Sequence, residues 1–166
     1  MAKKDYPITR AVRELRSKKI DFKPHTYPYQ TYGGTRHAAS ALNISEHEVI
    51  KTLLMETDSQ NVLLVLMHGD REVSTKQLAR ELDVKHVAPC DAESIQKNTG
   101  YVVGGISPLG TRKPMPVYVE SSILTLKQIF INGGKRGFLI EIDPRDLHKA
   151  FKMIEVNVAI EMKDES

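Results

Sequence analysis

A chain of 166 residues, 40% hydrophobic and 27% charged, has the length and composition of one globular domain with a buried core. Its 24 Lys and Arg stand against 21 Asp and Glu, so a polyanionic partner has to be met by a local basic patch and not by a basic body. A lone cysteine, Cys90, excludes an internal disulfide; the start MAKKDYPITRAV carries no apolar leader and the longest apolar run, VLLVLM at 62–67, is far too short for a bilayer, so membrane insertion is excluded and the cytoplasm is the expected compartment.

Thr9 is placed to cap a first helix with Val12, Leu15 and Ile20 on one face and Arg10, Arg13, Arg16, Lys18 and Lys19 around it, which gives a docked helix with a basic side. DFKPHTY (21–27) reads as a strand that Pro24 keeps off the centre of a sheet, and the polar PYQTYGGT after it as a loop. RHAASAL predicts a short helix from Thr35, and Ser45 with Glu48 forms a capping box that opens one more helical turn. VIKTLLMET and NVLLVLM, separated by Asp58-Ser59-Gln60, predict a β-hairpin whose second strand is buried on both faces at the centre of the sheet.

Ser74 with Gln77 is a second capping box, ahead of KQLAREL, and Asp91 caps AESIQKN, which stops near Gly100; both helices are amphipathic and cover the sheet. VYVE and QIFI read as strands, Asn132-Gly133-Gly134 as a tight turn, and FLIEI as the strand paired after it. Asp143-Pro144 starts a last helix with proline at its first position, and MKDES (162–166) is a polar tail. With no internal repeat or linker, residues 1–166 form a single domain, a mixed α/β (α+β) fold with a mostly antiparallel sheet.

Seven of the ten glycines fall in two segments, NTGYVVGGISPLGTRKP (98–114) and INGGKRG (131–137). Gly105 to Gly110 has the glycine spacing of a phosphate-binding P-loop, but Thr111 and Arg112 replace its Lys and Ser/Thr, and Pro114 and Pro116 forbid the helix that must follow. No strand-glycine-helix unit with a downstream acid can be laid over Gly100 to Gly110, so the dinucleotide pattern fails too. What the Gly104-Gly105 and Gly133-Gly134 pairs do offer is backbone N–H groups that can approach an anion or oxyanion closely; taken alone, such pairs are more often simple turns that need positive φ.

The six histidines, at 25, 37, 47, 68, 86 and 148, show no helical metal-site spacing, and Cys90 has no CxxC partner. Ser107 is out of step with a nucleophile elbow. Lys51 interrupts VIKTLLM where alternation turns it toward a buried or cleft-facing side, so it snorkels to water or binds something. Tyr27 and Tyr32 flank a loop, as lids on the core or as a clamp for a base or ribose.

HTY at 25–27, KTLL at 51–54, TGYVVGGISPLG at 99–110 and GGKRG at 133–137, in this order and spacing, resemble the YbaK/EbsC family of bacterial aminoacyl-tRNA deacylases, relatives of the editing domain inserted in bacterial prolyl-tRNA synthetases. The resemblance implies a mixed sheet, partly closed like a barrel and flanked by helices. It implies hydrolysis of a mischarged aminoacyl ester, most typically Cys-tRNA(Pro), with no metal or organic cofactor. The implied partners are the 3′ acceptor end of an aminoacyl-tRNA and, as a candidate protein partner, prolyl-tRNA synthetase.

Residue by residue, Lys51 matches the functional lysine of the KTLL motif, and Gly104 and Gly134 match glycines whose backbone faces the substrate; these three form the expected catalytic set. Tyr27 matches the tyrosine of HTY, and Tyr32 takes the place of an aromatic near the terminal adenosine. Thr99, Tyr101, Gly105, Ile106, Ser107, Asn132 and Gly133 complete the expected substrate-binding set. In the cysteine-editing members the substrate's own thiol is thought to attack, so the protein has only to orient the carbonyl and stabilise the oxyanion.

Two positions depart from the cysteine-specific pattern: Asn132 stands where those members carry serine, and Leu139 where they carry an acid able to hold the α-ammonium. A deacylase for a different amino acid and a non-catalytic tRNA- or synthetase-binding relative therefore stay open. Phosphate contacts fall to Lys3, Lys4, Arg10, Arg13, Arg16, Lys18 and Lys19, or to Arg112 and Lys113. The scattered histidines and lone cysteine predict activity that survives a chelator; activity abolished by EDTA and restored by zinc is the contrary result.

Overall fold

The computed structural model describes residues 5–162, so Lys3, Lys4 and tail residues 163–166 lie outside the described residues. In chain order the elements are α1 (Arg10–Ser17), β1 (Lys23–Thr26), α2 (Gly34–Leu42), β2 (Val49–Thr57), β3 (Val62–His68), β4 (Arg71–Val73), α3 (Thr75–Leu82), β5 (Val87–Pro89), α4 (Ala92–Thr99), β6 (Val117–Glu120), β7 (Ile129–Lys135), β8 (Phe138–Ile142), β9 (Met153–Val156) and β10 (Ala159–Glu161). Short 3₁₀ turns at Glu46–Glu48, Ser121–Thr125 and Pro144–Lys149 connect them. Among the described residues no helix is long and apolar enough to cross a membrane.

The hairpin of β2 and β3 pairs antiparallel from Ile50↔His68 to Glu56↔Val62 and occupies the middle of the sheet, whose order is β1-β8-β7-β2-β3-β6-β9, with β5 also paired to β2. The β1/β8, β7/β8, β2/β3 and β2/β5 pairs are antiparallel; β2/β7, β3/β6 and β6/β9 are parallel. A separate antiparallel pair joins β4 to β10. The result is a mixed α+β fold with a mostly antiparallel sheet, and Pro24 sits on the edge strand β1, where a missing N–H is tolerated.

Alternation along the central strands divides the core. Ile50, Leu54, Leu64 and Leu66 join Ile129, Ile131, Phe138 and Ile140 in one cluster, onto which α1 buries Ala11, Val12 and Leu15. On the opposite face Leu63, Val65 and Met67 pack with Leu78 of α3, while Val49, Phe130 and Leu139 pack with Ala38 and Ala39 of α2. Helices thus cover both faces, which is why β3 is apolar at nearly every position. The predicted caps form: Thr9, Ser74 and Asp91 accept the N–H groups of Val12, Gln77 and Ser94.

Three expectations need correction. Asn132-Gly133-Gly134 is not a turn; it lies inside β7, and the turn to β8 comes at Arg136-Gly137, where Gly137 has φ +79°. The residues after Asp143 form a 3₁₀ turn and not an α-helix. They are not the last element either, because β9 and β10 follow and β9 pairs parallel with β6. The helix expected from Thr35 is α2, which starts at Gly34; the Thr35 hydroxyl donates to Glu46 and Gly69. Leu64, fully buried where β3 meets both β2 and β6, tests the core: Leu64→Ala is expected to lower unfolding stability by about 3 kcal/mol, read from the urea midpoint.

Candidate functional site

The two glycine-rich segments meet. β7 pairs Asn132 with Leu139 and then Lys135 with Phe138, so Gly133 and Gly134 are extra residues in a β-bulge and their backbone is released from the ladder. Gly134 holds φ +98°, and a Cβ there would press to 2.8 Å from the Tyr101 ring; the position admits glycine alone. On the other segment α4 ends at Gly100, the chain turns with Gly105 N–H donating to Val102 C=O at 2.9 Å, and Gly104 takes φ +88°.

The Asn132 carboxamide joins the segments. Its Nδ2 donates to Gly104 C=O at 3.1 Å, while its Oδ1 accepts the N–H groups of Gly134 at 2.7 Å and Lys135 at 3.1 Å. Thr9, the cap of α1, donates its hydroxyl to Gly133 C=O at 2.5 Å, and Arg136 Nε donates to Val103 C=O at 2.9 Å. Among the described residues no acceptor takes the N–H of the exposed Gly104, so this amide is free, whereas that of Gly134 is already engaged by Asn132.

The remaining predicted residues divide by burial. Thr99 is fully buried, donating to Ile95 C=O and accepting from Tyr101 N–H; Ser107 is fully buried and accepts from Leu109 N–H. Tyr101 donates its hydroxyl to Leu109 C=O at 2.6 Å, and burial pushes its pKa up to about 12. These three support the loop from beneath and do not reach the surface, which corrects their expected role as substrate contacts. Gly105 is buried against the backbone of Lys135 and Arg136, and Ile106 is half-buried against the core.

Tyr27 is half-buried near His37, its N–H donating to Gly137 C=O, and burial raises its phenol pKa. Tyr32, at φ +63°, is 101% exposed, and among the described residues no hydrogen bond or ring contact holds it to the glycine segments. The tyrosine over the glycines is Tyr29, which sequence reasoning passed over. A Cβ on Gly104 would fall 2.8 Å from its hydroxyl, and Arg136 lies over its ring at 5.3 Å. Arg136, inside the quoted GGKRG, was the available signal for that second missed residue.

Lys51 stands one residue beyond the last β2/β7 pair, as Asn132 does on the other strand, and period-two alternation puts both on the face that carries Val49 and Phe130. Its Nζ donates to Arg71 C=O; no hydrogen bond among the described residues ties it to Gly104 or Gly134. Desolvation lowers its pKa, and the carboxylates of Glu72, Glu46 and Asp70 oppose that shift. The β3/β4 turn beside it gathers His47, His68 and Asp70, a group that no linear spacing revealed. His47 Nδ1 is 2.8 Å from Asp70, His68 Nδ1 donates to His47 C=O at 2.7 Å and His68 Nε2 accepts from Ser122 at 2.7 Å. The two rings stack at 3.8 Å and 6°, so their nitrogen lone pairs lie in two separate parallel planes that one ion cannot occupy together.

The family described as the aminoacyl-tRNA editing domain matches residues 34–150. A protein of Enterococcus faecalis, provisionally named a Cys-tRNA(Pro)/Cys-tRNA(Cys) deacylase (EbsC), is 27% identical over 143 residues, 86% of this chain and 87% of its own length. A proline–tRNA ligase of Moorella thermoacetica is 31% identical over 104 residues, which are 62% of this chain but only 18% of the ligase. A solved structure described as a candidate trans-editing enzyme for prolyl-tRNA synthetase shares the fold with a TM-score of 0.79 at 18% identity, over 91% of this chain and 95% of that one.

The Asn132 amide bridge makes a structural prediction. Asn132→Ala should cost about 1–2 kcal/mol of stability and speed amide hydrogen exchange at Gly134 and Lys135; exchange unchanged at both would contradict the bridge.

Proposed function

The chain belongs to the aminoacyl-tRNA editing domain family, an aminoacyl-tRNA deacylase family, and from that premise we propose that it cleaves the ester of mischarged aminoacyl-tRNA, with Cys-tRNA(Pro) as first substrate. The observation that carries this reading is the Gly104 N–H, exposed and without an acceptor among the described residues, on a turn whose Gly104 C=O is held by Asn132. A fixed donor of this kind stabilises the oxyanion as it develops on the ester carbonyl, and one such donor is worth about 3 kcal/mol, roughly a hundredfold in rate.

The ribose hydroxyl is already a good leaving group. With a cysteinyl ester the substrate thiol attacks its own carbonyl carbon: the C–S bond forms, the C–O bond to the ribose breaks, and the thiol proton ends on the ribose oxygen. No protein nucleophile enters. In this scheme Lys51 supplies an ammonium to the ester or to neighbouring ribose or phosphate oxygens once it leaves the Arg71 carbonyl, and the Gly134 N–H becomes a second donor if Asn132 turns away. Tyr27, which packs beside α2, and Gly133, in the bulge over Phe138, are the other proposed substrate contacts. The aminoacyl-tRNA acceptor end is the proposed partner, and prolyl-tRNA synthetase the proposed protein partner.

One observation favours a second reading of the amino acid alone. Leu139, paired with Asn132 and buried among Ala38, Ala39, Val49 and Phe130, offers the α-ammonium no charge, a departure from the cysteine-specific pattern that makes a deacylase for a different amino acid the alternative. Deacylation of a panel containing Cys-tRNA(Pro), Cys-tRNA(Cys), Ala-tRNA(Pro) and Ser-tRNA distinguishes the two, and a protein that binds these without turnover is a non-catalytic relative.

Lys51→Ala is expected to slow deacylation of the preferred substrate at least tenfold, about 1.4 kcal/mol, with the fold retained. Lys51→Arg should fail to rescue it, because a planar fork cannot take the place of a compact ammonium. Full activity in Lys51→Ala would remove the lysine from the mechanism.

A further inference from the structure

We propose that His47 and Asp70 are positioning residues for Lys51: the pair fixes the turn whose Arg71 carbonyl holds the ammonium, and so sets where that ammonium stands when the ester arrives. This role rests on the deacylase reading above and belongs to a cluster that the glycine segments do not touch. Lys51 is half-buried, yet among the described residues no carboxylate lies within ion-pair distance of its Nζ, and its partner is the C=O of Arg71. A neutral carbonyl gives up an ammonium more readily than a carboxylate does. It also leaves the ammonium's place to be decided by its own.

That carbonyl belongs to the first residue of β4, directly after the Gly69-Asp70 turn, and the Asp70 side chain fastens the turn. Asp70 Oδ1 lies 2.8 Å from His47 Nδ1, and its Oδ2 lies 3.4 Å from the Arg71 guanidinium, which also donates to Asp70 C=O at 3.1 Å. A carboxylate only accepts, so His47 Nδ1 carries the proton of this bond. His47 is fixed in its turn, because its ring stacks on His68 and its C=O accepts from His68 Nδ1 at 2.7 Å. His68 is 1% exposed and bonded through its other nitrogen to Ser122, and burial holds its pKa below the usual imidazole range, which keeps that ring neutral. Contacts therefore run unbroken from the buried His68 through His47, Asp70 and Arg71 to Lys51.

The β2/β3 register closes this series, since it sets Ile50 opposite His68 and Lys51 opposite Met67. Glu46, Asp70 and Glu72 give Lys51 a negative field, but none of them pairs with it, so charge alone does not place the ammonium. The turn does. A misplacement of about 1 Å in a group that must meet a substrate oxygen can cost up to about a hundredfold in rate.

Three variants separate the hydrogen bond from the stack. His47→Phe keeps a ring on His68 and loses the donor to Asp70, His47→Ala loses both, and His47→Asn keeps an amide N–H near the place of Nδ1 without the ring. The setting of Lys51 is read without substrate, from the NMR titration of its Cε signal. Burial holds the Lys51 pKa below the usual lysine range, so it should rise toward that range in His47→Phe and His47→Ala, where the turn opens to water, and stay at the wild-type value in His47→Asn. On charged tRNA, His47→Phe should lower kcat about tenfold with KM within about twofold, and should cost nothing further in a Lys51→Ala background. A Lys51 titration unchanged in His47→Phe, a tenfold loss that persists without Lys51, or a loss in His47→Asn equal to that in His47→Phe would overturn the positioning role. Because the titration needs no turnover, a shifted Lys51 in a protein whose wild type deacylates nothing supports the hold on Lys51 and refutes the proposed activity alone.

Discussion

One side-chain amide holds the candidate site together. Asn132 sits where β7 leaves its ladder, and with a donor and an acceptor on one planar group it can hold Gly104 C=O on one side and two bulge N–H groups on the other. A hydroxyl offers one rotating proton and could not span both segments in the same way. Thr9 fastens the third side by donating to Gly133 C=O, so the cap of α1, the bulge and the 102–105 turn form one unit. Backbone that a sheet would have consumed in pairing is left presentable at a surface.

The support beneath this unit is apolar and neutral. Tyr101 keeps its proton, since burial pushes the phenol to about 12, and so remains a permanent donor to Leu109 C=O under the loop. Phe138, Ile131 and Ile140 of the central cluster back the bulge from the sheet side. Charge is concentrated elsewhere, at the β3/β4 turn, where Lys51 is partly stripped of water yet surrounded by Glu46, Asp70 and Glu72. An ammonium in that setting is stabilised by carboxylates and penalised by burial at once, and a substrate oxygen has only a single carbonyl to displace.

Much of this was legible in the chain. The capping residues Thr9, Ser74 and Asp91, the β2/β3 hairpin and the buried run VLLVLM follow from local rules, because caps, turns and two-residue alternation are short-range effects. The two glycine segments also announced themselves, as did Lys51, out of place in an apolar strand. Less local features escaped. β9 has two consecutive exposed residues, Ile154 and Glu155, and no alternation to read; it is a strand because β6 offers a parallel edge.

The sequence by itself therefore determined the fold class, the family through its motifs, and which residue types were available for chemistry. Only the tertiary structure decided their use. Whether Gly133-Gly134 is a turn or a bulge depends on where β8 pairs, and whether Tyr29 or Tyr32 covers Gly104 depends on the path of one loop. That Thr99, Tyr101 and Ser107 lie beneath the surface depends on what packs over them. Each of these is a contact between residues distant in the chain, and a linear pattern carries the chemistry of such residues but not their distance from one another.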